Sequence, residues 1–200
     1  MRRNTKKEII DMAKQLFNER GFNSVSIRDI ADALGISNGN VTYHFNKKEE
    51  IIEAILEESA NLDTKPTESP QSLAELDAFF LDMQRTVQEN AFYFWHHAQL
   101  SQLSPNIRDK QKLRYDLNVR MLNETFSKLK SDGLIRSECY TGEYERIIDT
   151  LLLSNIYWMP FCTLKDSLET EDTYQTHAWS IMYYLLSDTG HKQVLQILDK

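Results

Sequence analysis

The chain is poor in the residues that break or cross-link a fold. Four prolines and six glycines in 200 residues leave few compulsory turns, and apolar residues recur at helical spacing over most of the length, which points away from sheets of short strands. Two cysteines, Cys139 and Cys162, are too few for a disulfide framework and suit a reducing interior. Uninterrupted apolar runs extend over only a few residues, far short of a membrane span. The N-terminal MRRNTKKEII is basic but has no apolar run of the kind a secretion signal needs. A soluble, cytoplasmic protein is expected. Signatures of catalysis are missing too: His-Glu-x-x-His, Cys-x-x-Cys, a glycine-rich phosphate loop and a serine elbow do not occur. His96 and His97 are adjacent, so on a helix they point about 100° apart and cannot chelate one metal together. No enzyme activity, metal or cofactor is expected.

What is present is an uneven distribution of charge. The net charge is −7, yet residues 1–48 carry nine Lys/Arg against five Asp/Glu, a net of +4, while the remainder carries 14 against 25, a net of −11. A chain with one basic end and one acidic body can turn that end toward a polyanion. Hydrophobic residues make up 41% of the composition, enough to bury a sizeable core.

Helix signals then follow one another closely. Thr5 and Glu8 have capping-box spacing before the apolar stripe Ile9, Ile10, Ala13, Leu16 and Phe17, and Gly21 stops that helix. Ser26 caps IRDIADAL, which Gly35 ends. Ser37 caps a third short helix whose Val41 and Phe45 point inward. Asn46 can cap KKEEIIEAILEESANL, and DTKPTESPQ is a loop. Ser72 and Glu75 open a further helix, followed by the aromatic AFYFWHHAQL. A long helix starts at Pro105 and stops at Gly133. TGEYERIIDTLLLSNIYWMPF and TYQTHAWSIMYYLLS read as two more. The predicted fold is all-α with about nine helices, a three-helix N-terminal domain joined to a C-terminal helical bundle. The expected boundaries are 1–46, a connecting helix 47–62, and 72–200.

Two short helices about a tight turn at Gly35, with a third packed behind, form a helix-turn-helix. Its second helix can enter a major groove about 12 Å wide only if its outward residues are small or polar. With Val41 and Phe45 buried, Asn38, Gly39, Asn40, Thr42, Tyr43 and His44 are left to face that groove. Asparagine can pair with the adenine edge and threonine can meet a thymine methyl. From Gly35 to Phe45 there is no Lys or Arg. Phosphate contacts can come from elsewhere: Arg28 outward on the preceding helix, Lys47 and Lys48 on the following one, and Arg2, Arg3, Lys6 and Lys7 at the terminus. A small bundle with an inert polar face has the same spacing.

The stretch from about Thr5 to Leu56 resembles the DNA-binding domain of the tetracycline-repressor (TetR) family of bacterial regulators. Ala13 through Phe17, Gly21, Ser26, Ile30-Ala31, Leu34-Gly35-Ile36-Ser37, Gly39, Tyr43-His44-Phe45 and Lys48-Glu49 carry the resemblance. Thr42 departs from the tyrosine usual there, and Asn46 from the usual proline. The resemblance implies a homodimeric regulator on a palindromic operator in double-stranded DNA, with Lys48 on a phosphate. It also implies release by a small-molecule effector bound in the C-terminal domain.

In that domain, apolar residues cover nearly the whole circumference of the helix from Ile147 to Trp158, which suits burial on all sides. The expected dimer interface is Leu151, Leu152 and Ile156 with Tyr174, Ala178, Ile181, Met182 and Leu185, although a large monomeric core would use the same residues. Candidate effector contacts are Phe92, Trp95, His96 and Gln99, with Asn155, Trp158, Met159 and Trp179 opposite, although aromatic clusters at this spacing also serve as plain core. A module that binds small molecules or proteins without acting through DNA is the competing function. The sign of regulation and the effector's identity are not legible.

Overall fold

The computed structural model describes residues 4–63, 68–165 and 173–199. Among these, twelve α-helices and two short 3-10 turns are present and no strand, with one isolated antiparallel bridge between Ile135 and Leu186. The all-α expectation holds, and the expected count of about nine is corrected to twelve. The difference has local causes. The aromatic segment forms two short helices, α6 (Ala91–Trp95) and α7 (His97–Leu103), that meet at His96. The helix expected from Gly142 onward divides at Tyr157 into α9 (Glu143–Ile156) and α10 (Trp158–Leu164), bent by 65°. Pro160 is the third residue of α10; proline lacks an N–H and is tolerated in a first turn but not in a helix interior. The chain also adds α12 (Asp188–Leu198), capped by Ser187.

The chain folds as two compact units, Met1–Thr67 with Asn90–Lys112, and Glu68–Glu89 with Leu113–Lys200. The first holds α1 (Thr5–Arg20), α2 (Ile27–Leu34), α3 (Asn38–His44), α4 (Lys48–Asp63), α6, α7 and the first turns of α8 (Pro105–Ser131). Ile9, Ala13, Phe17, Ile30, Val41, Ile51 and Ile52 are fully buried there. Asn4, rather than Thr5, caps α1: its Oδ1 accepts from the Lys7 N–H at 3.3 Å. Residues 90–112, expected with the body, belong to this unit. The Phe92 ring lies 5.5 Å from the Phe17 ring, and the Phe92 N–H donates to Asn18 Oδ1 at 3.0 Å.

The second unit holds α5 (Leu73–Glu89), the rest of α8, α9, α10, α11 (Tyr174–Met182) and α12. Helix α5 carries Leu76 and Phe80, both fully buried, and α9 and α11 pack on it and on each other. The Phe80 and Trp179 rings meet edge to face at 5.4 Å. Asp77 Oδ1 accepts from the Trp179 indole N–H at 2.8 Å and from the Gln175 amide at 2.6 Å. Arg136 makes a two-pronged ion pair with Glu143, at 2.7 and 2.8 Å. Among the described residues no single helix is long and apolar enough to cross a membrane.

Candidate nucleic-acid interface

The geometry of the site starts with its caps. Ser26 Oγ accepts from the Asp29 N–H at 3.2 Å, and Asp29 Oδ2 accepts from the Ser26 N–H at 2.7 Å, a reciprocal box at the start of α2. The hydrogen bonds from the Ser26 hydroxyl and backbone hold the Asp29 carboxyl below the usual carboxylate range. At the other end of α2, Gly35 adopts φ 65°, ψ 32°. Its N–H bonds to Asp32 O at 3.2 Å and the Ile36 N–H bonds to Ala31 O at 3.0 Å, the paired closure that ends a helix on a left-handed residue. Gly35 satisfies that conformation without the Cβ penalty. Ser37 then caps α3 by accepting from the Asn40 N–H at 3.2 Å.

Helix α3 is pinned by Val41, fully buried, and by Phe45 directly after it. Asn38, Gly39, Asn40 and Tyr43 are exposed, Tyr43 at 84%, while Thr42 and His44 are half-buried. The Thr42 hydroxyl donates to Gly39 O at 3.2 Å. Tyr43 and His44 meet edge to face at 5.1 Å. The outward face of α3 is therefore polar and uncharged, with Tyr43 its large exposed side chain. A glycine at position 39 is not demanded by the fold. It has no positive φ, and a Cβ there would meet only Ser37 Oγ at 3.8 Å.

The basic residues divide into free and engaged groups. Lys47 is exposed. Arg28 is 83% exposed, with Asp32 at 3.8 Å, a contact of little worth at that exposure. Lys7 is committed to Asp11 at 2.9 Å and to Glu58, and Lys6 lies 5.6 Å over the Phe45 ring. Arg2 and Arg3 lie outside the described residues. Lys48, expected on a phosphate, is engaged within the protein. Its ammonium donates to Phe22 O at 2.6 Å and Val25 O at 2.8 Å, and sits 4.0 Å over the Phe22 ring. Burial lowers its pKa, opposed by the Glu49 and Asp29 carboxylates. Nothing in the sequence marks this, because both acceptors are backbone carbonyls whose direction depends on the fold.

The expected effector residues fall in different units. Phe92, Trp95, His96 and Gln99 belong to the first, where Phe92 is buried on Phe17 and the Gln99 amide pairs with Asn23 at 3.3 and 3.4 Å. Asn155, Trp158, Met159 and Trp179 belong to the second, where Trp179 is committed to Asp77 and Phe80. Asn155 is 7% exposed, and among the described residues its Nδ2 is a buried side-chain nitrogen without an acceptor. Trp158 is 7% exposed, with Tyr174 at 5.9 Å and His177 at 5.1 Å between ring centres.

Burial within the protomer divides the expected dimer residues. Leu151, Leu152, Tyr174, Ala178, Met182 and Leu185 are buried inside the protomer's own second unit, and Ile156 and Ile181 are half-buried. A helix apolar all round satisfied part of its circumference internally, against α5 and α11. The large apolar residues left exposed on α9 and α10 are Leu153, Tyr157, Phe161 and Leu164.

Residues 9–55 match the family of bacterial regulatory proteins, tetR family. The helix-turn-helix-type transcriptional repressor KstR2 of Rhodococcus jostii is 47% identical over 49 residues, which is 24% of each chain. The probable regulator YttP of Bacillus subtilis is 28% identical over 101 residues, 50% of this chain and 49% of that one. The likeness to these curated relatives thus spans half of their length or less. The N-terminal domain is thus similar in sequence to the DNA-binding domain of the TetR family. The fold of the chain as a whole is that of a solved TetR-family transcriptional regulator from Marinobacter aquaeolei, with a TM-score of 0.87 over 98% of this chain and 97% of that one, at 21% identity. These relatives are regulators rather than enzymes.

Proposed function

We propose that the chain is a sequence-specific DNA-binding transcriptional regulator that acts as a homodimer, each protomer placing α3 in the major groove of one half of a palindromic operator. The observation that carries this reading is the face of α3. Val41 is wholly buried while Asn38, Gly39, Asn40 and Tyr43 stand out without charge, Tyr43 as an exposed aromatic with a polar tip. Arg28 and Lys47, both exposed, flank it and can hold phosphates. The repressor KstR2, similar in this same domain, supports repression as the sign of regulation.

The second unit is the effector and dimerisation domain. The unpartnered Asn155 Nδ2 supports a ligand there, because a buried donor left unpaired costs about 1–3 kcal/mol and an acceptor on a ligand would recover it. Ligand and operator then bind reciprocally through a shift between two arrangements of the dimer. Leu153, Tyr157, Phe161 and Leu164 supply the apolar surface for a two-fold contact.

Selection of bound duplexes from a random pool tests the reading. A two-fold symmetric site with half-sites about one helical turn apart is expected. Failure to enrich any sequence at low salt overturns it and favours a module that does not act through DNA.

A further inference from the structure

Lys48 joins two ends of one motif. It is the first residue of α4, and three residues earlier Phe45 closes α3. Its two carbonyl partners, Phe22 and Val25, belong to the connection just before Ser26, the cap of α2. The helix-turn-helix from Ser26 to Phe45 therefore leaves and returns to one ammonium group. The same connection is held on its other side by the Asn23–Gln99 amide pair, and the end of α1 by the bond from the Phe92 N–H to Asn18 Oδ1. Carbonyl oxygens at 2.6 and 2.8 Å and an aromatic face at 4.0 Å engage two of the donors and the field of a half-buried cation.

We infer that Lys48 is a positioning residue for DNA reading, a cation that clamps the start of α4 to the connection before α2 and so fixes the angle at which α3 is presented, rather than a phosphate ligand. This rests on the regulator reading above. It assigns the phosphate grip near α3 to Lys47 and Arg28, both exposed. The clamp also explains why a lysine at this place is tolerated beside the N-terminus of α4, where a cation opposes the helix dipole. Its charge is directed back onto two carbonyls.

The test is the salt dependence of binding to the palindromic duplex recovered by selection. It compares the full chain with Lys47→Ala, Lys48→Ala and Lys48→Gln, well below the unfolding temperature, alongside a scrambled duplex. Loss of one phosphate contact lowers the slope of log affinity against log salt by about 0.9. Lys47→Ala should show that drop. Lys48→Ala should leave the slope unchanged and weaken operator binding by about tenfold or more, the scale of one charge-assisted hydrogen bond. Binding to the scrambled duplex should barely change, so discrimination between the two falls. Lys48→Gln, which keeps a donor and loses the charge, should recover part of the affinity, again at unchanged slope. It also serves if the alanine variant does not fold. A slope lowered by about 0.9 in either variant identifies Lys48 as a phosphate ligand and overturns the inference; so does unchanged affinity and discrimination. If the unaltered chain shows no salt-dependent binding, it is the regulator reading that fails.

Discussion

The two units place their polar chemistry in opposite ways. In the first, the hydrogen bonds that cap α2 and α3 are local: Ser26 with Asp29, and Ser37 with Asn40, each three residues apart. In the second, polar groups reach deep and far along the chain. Asp77 holds Trp179 and Gln175 across 102 and 98 residues, the Tyr174 hydroxyl donates to Leu151 O at 2.9 Å, and Asn155 is left with an unsatisfied amide. A surface that meets DNA needs a rigid, short frame with its outer face left bare. The second unit keeps polar groups inside, where burial makes them specific and costly. Burial also drives the Tyr174 phenol pKa well upward, so that side chain stays a neutral donor.

This contrast can be broken by substitution. The largest effect expected is from Phe80→Ala, which removes the ring packed against Trp179 and Tyr174. It should cost about 3–5 kcal/mol in urea unfolding. A smaller loss would show that the second unit is not a close-packed core. Next are two glycines, one from each unit. A Cβ at Gly190 would lie 2.1 Å from Leu134 O, so Gly190→Ala should destabilise by about 1–3 kcal/mol through forced backbone movement. Gly39→Ala should do the reverse and add about 0.5–1 kcal/mol, since helical glycine is the poorer residue and nothing crowds it. It should nonetheless weaken operator binding in a mobility-shift titration. Gain of stability with loss of binding would establish that Gly39 serves a close approach of DNA backbone, whereas unchanged binding would remove it from the interface.

The smallest effect concerns pH. Hydrogen bonds from Arg136 and from the Cys139 N–H hold Glu143 down at about 2 from an ordinary 4.5. A folded pKa below the unfolded one gives stability that is complete above about pH 4.5 and is lost as pH falls toward 2. Glu143→Gln should therefore flatten the acid limb of the stability profile over that window in pH-dependent unfolding. An unchanged acid limb would mean that the pair contributes nothing to folding.

Much of the first unit was legible from sequence. Ser26, Gly35 and Ser37 announced two caps and a turn, and Val41 and Phe45, four apart, announced the buried side of α3. Such signals are short-range and depend on backbone geometry that a few residues determine. The second unit was legible only as helical. A circumference apolar from Ile147 to Trp158 shows that a helix is enclosed without showing by what, and six residues expected at a dimer contact proved to be interior. The aromatic segment was expected with the body, yet Phe92 lies on Phe17 in the first unit; helical periodicity gives the buried face but not the partner.

By itself, then, the sequence determined most of the helices, the caps and stop around α2 and α3, and the uncharged face of α3, because caps, glycines and a 3.6-residue period act within a turn or two of the chain. Only the tertiary structure decided that Lys48 holds two carbonyls, that Asp77 holds Trp179, and which apolar residues of α9 and α10 stay exposed. Those outcomes depend on which backbone oxygens and which helix faces meet after the chain has packed, and contacts between residues tens of positions apart leave no local pattern to read.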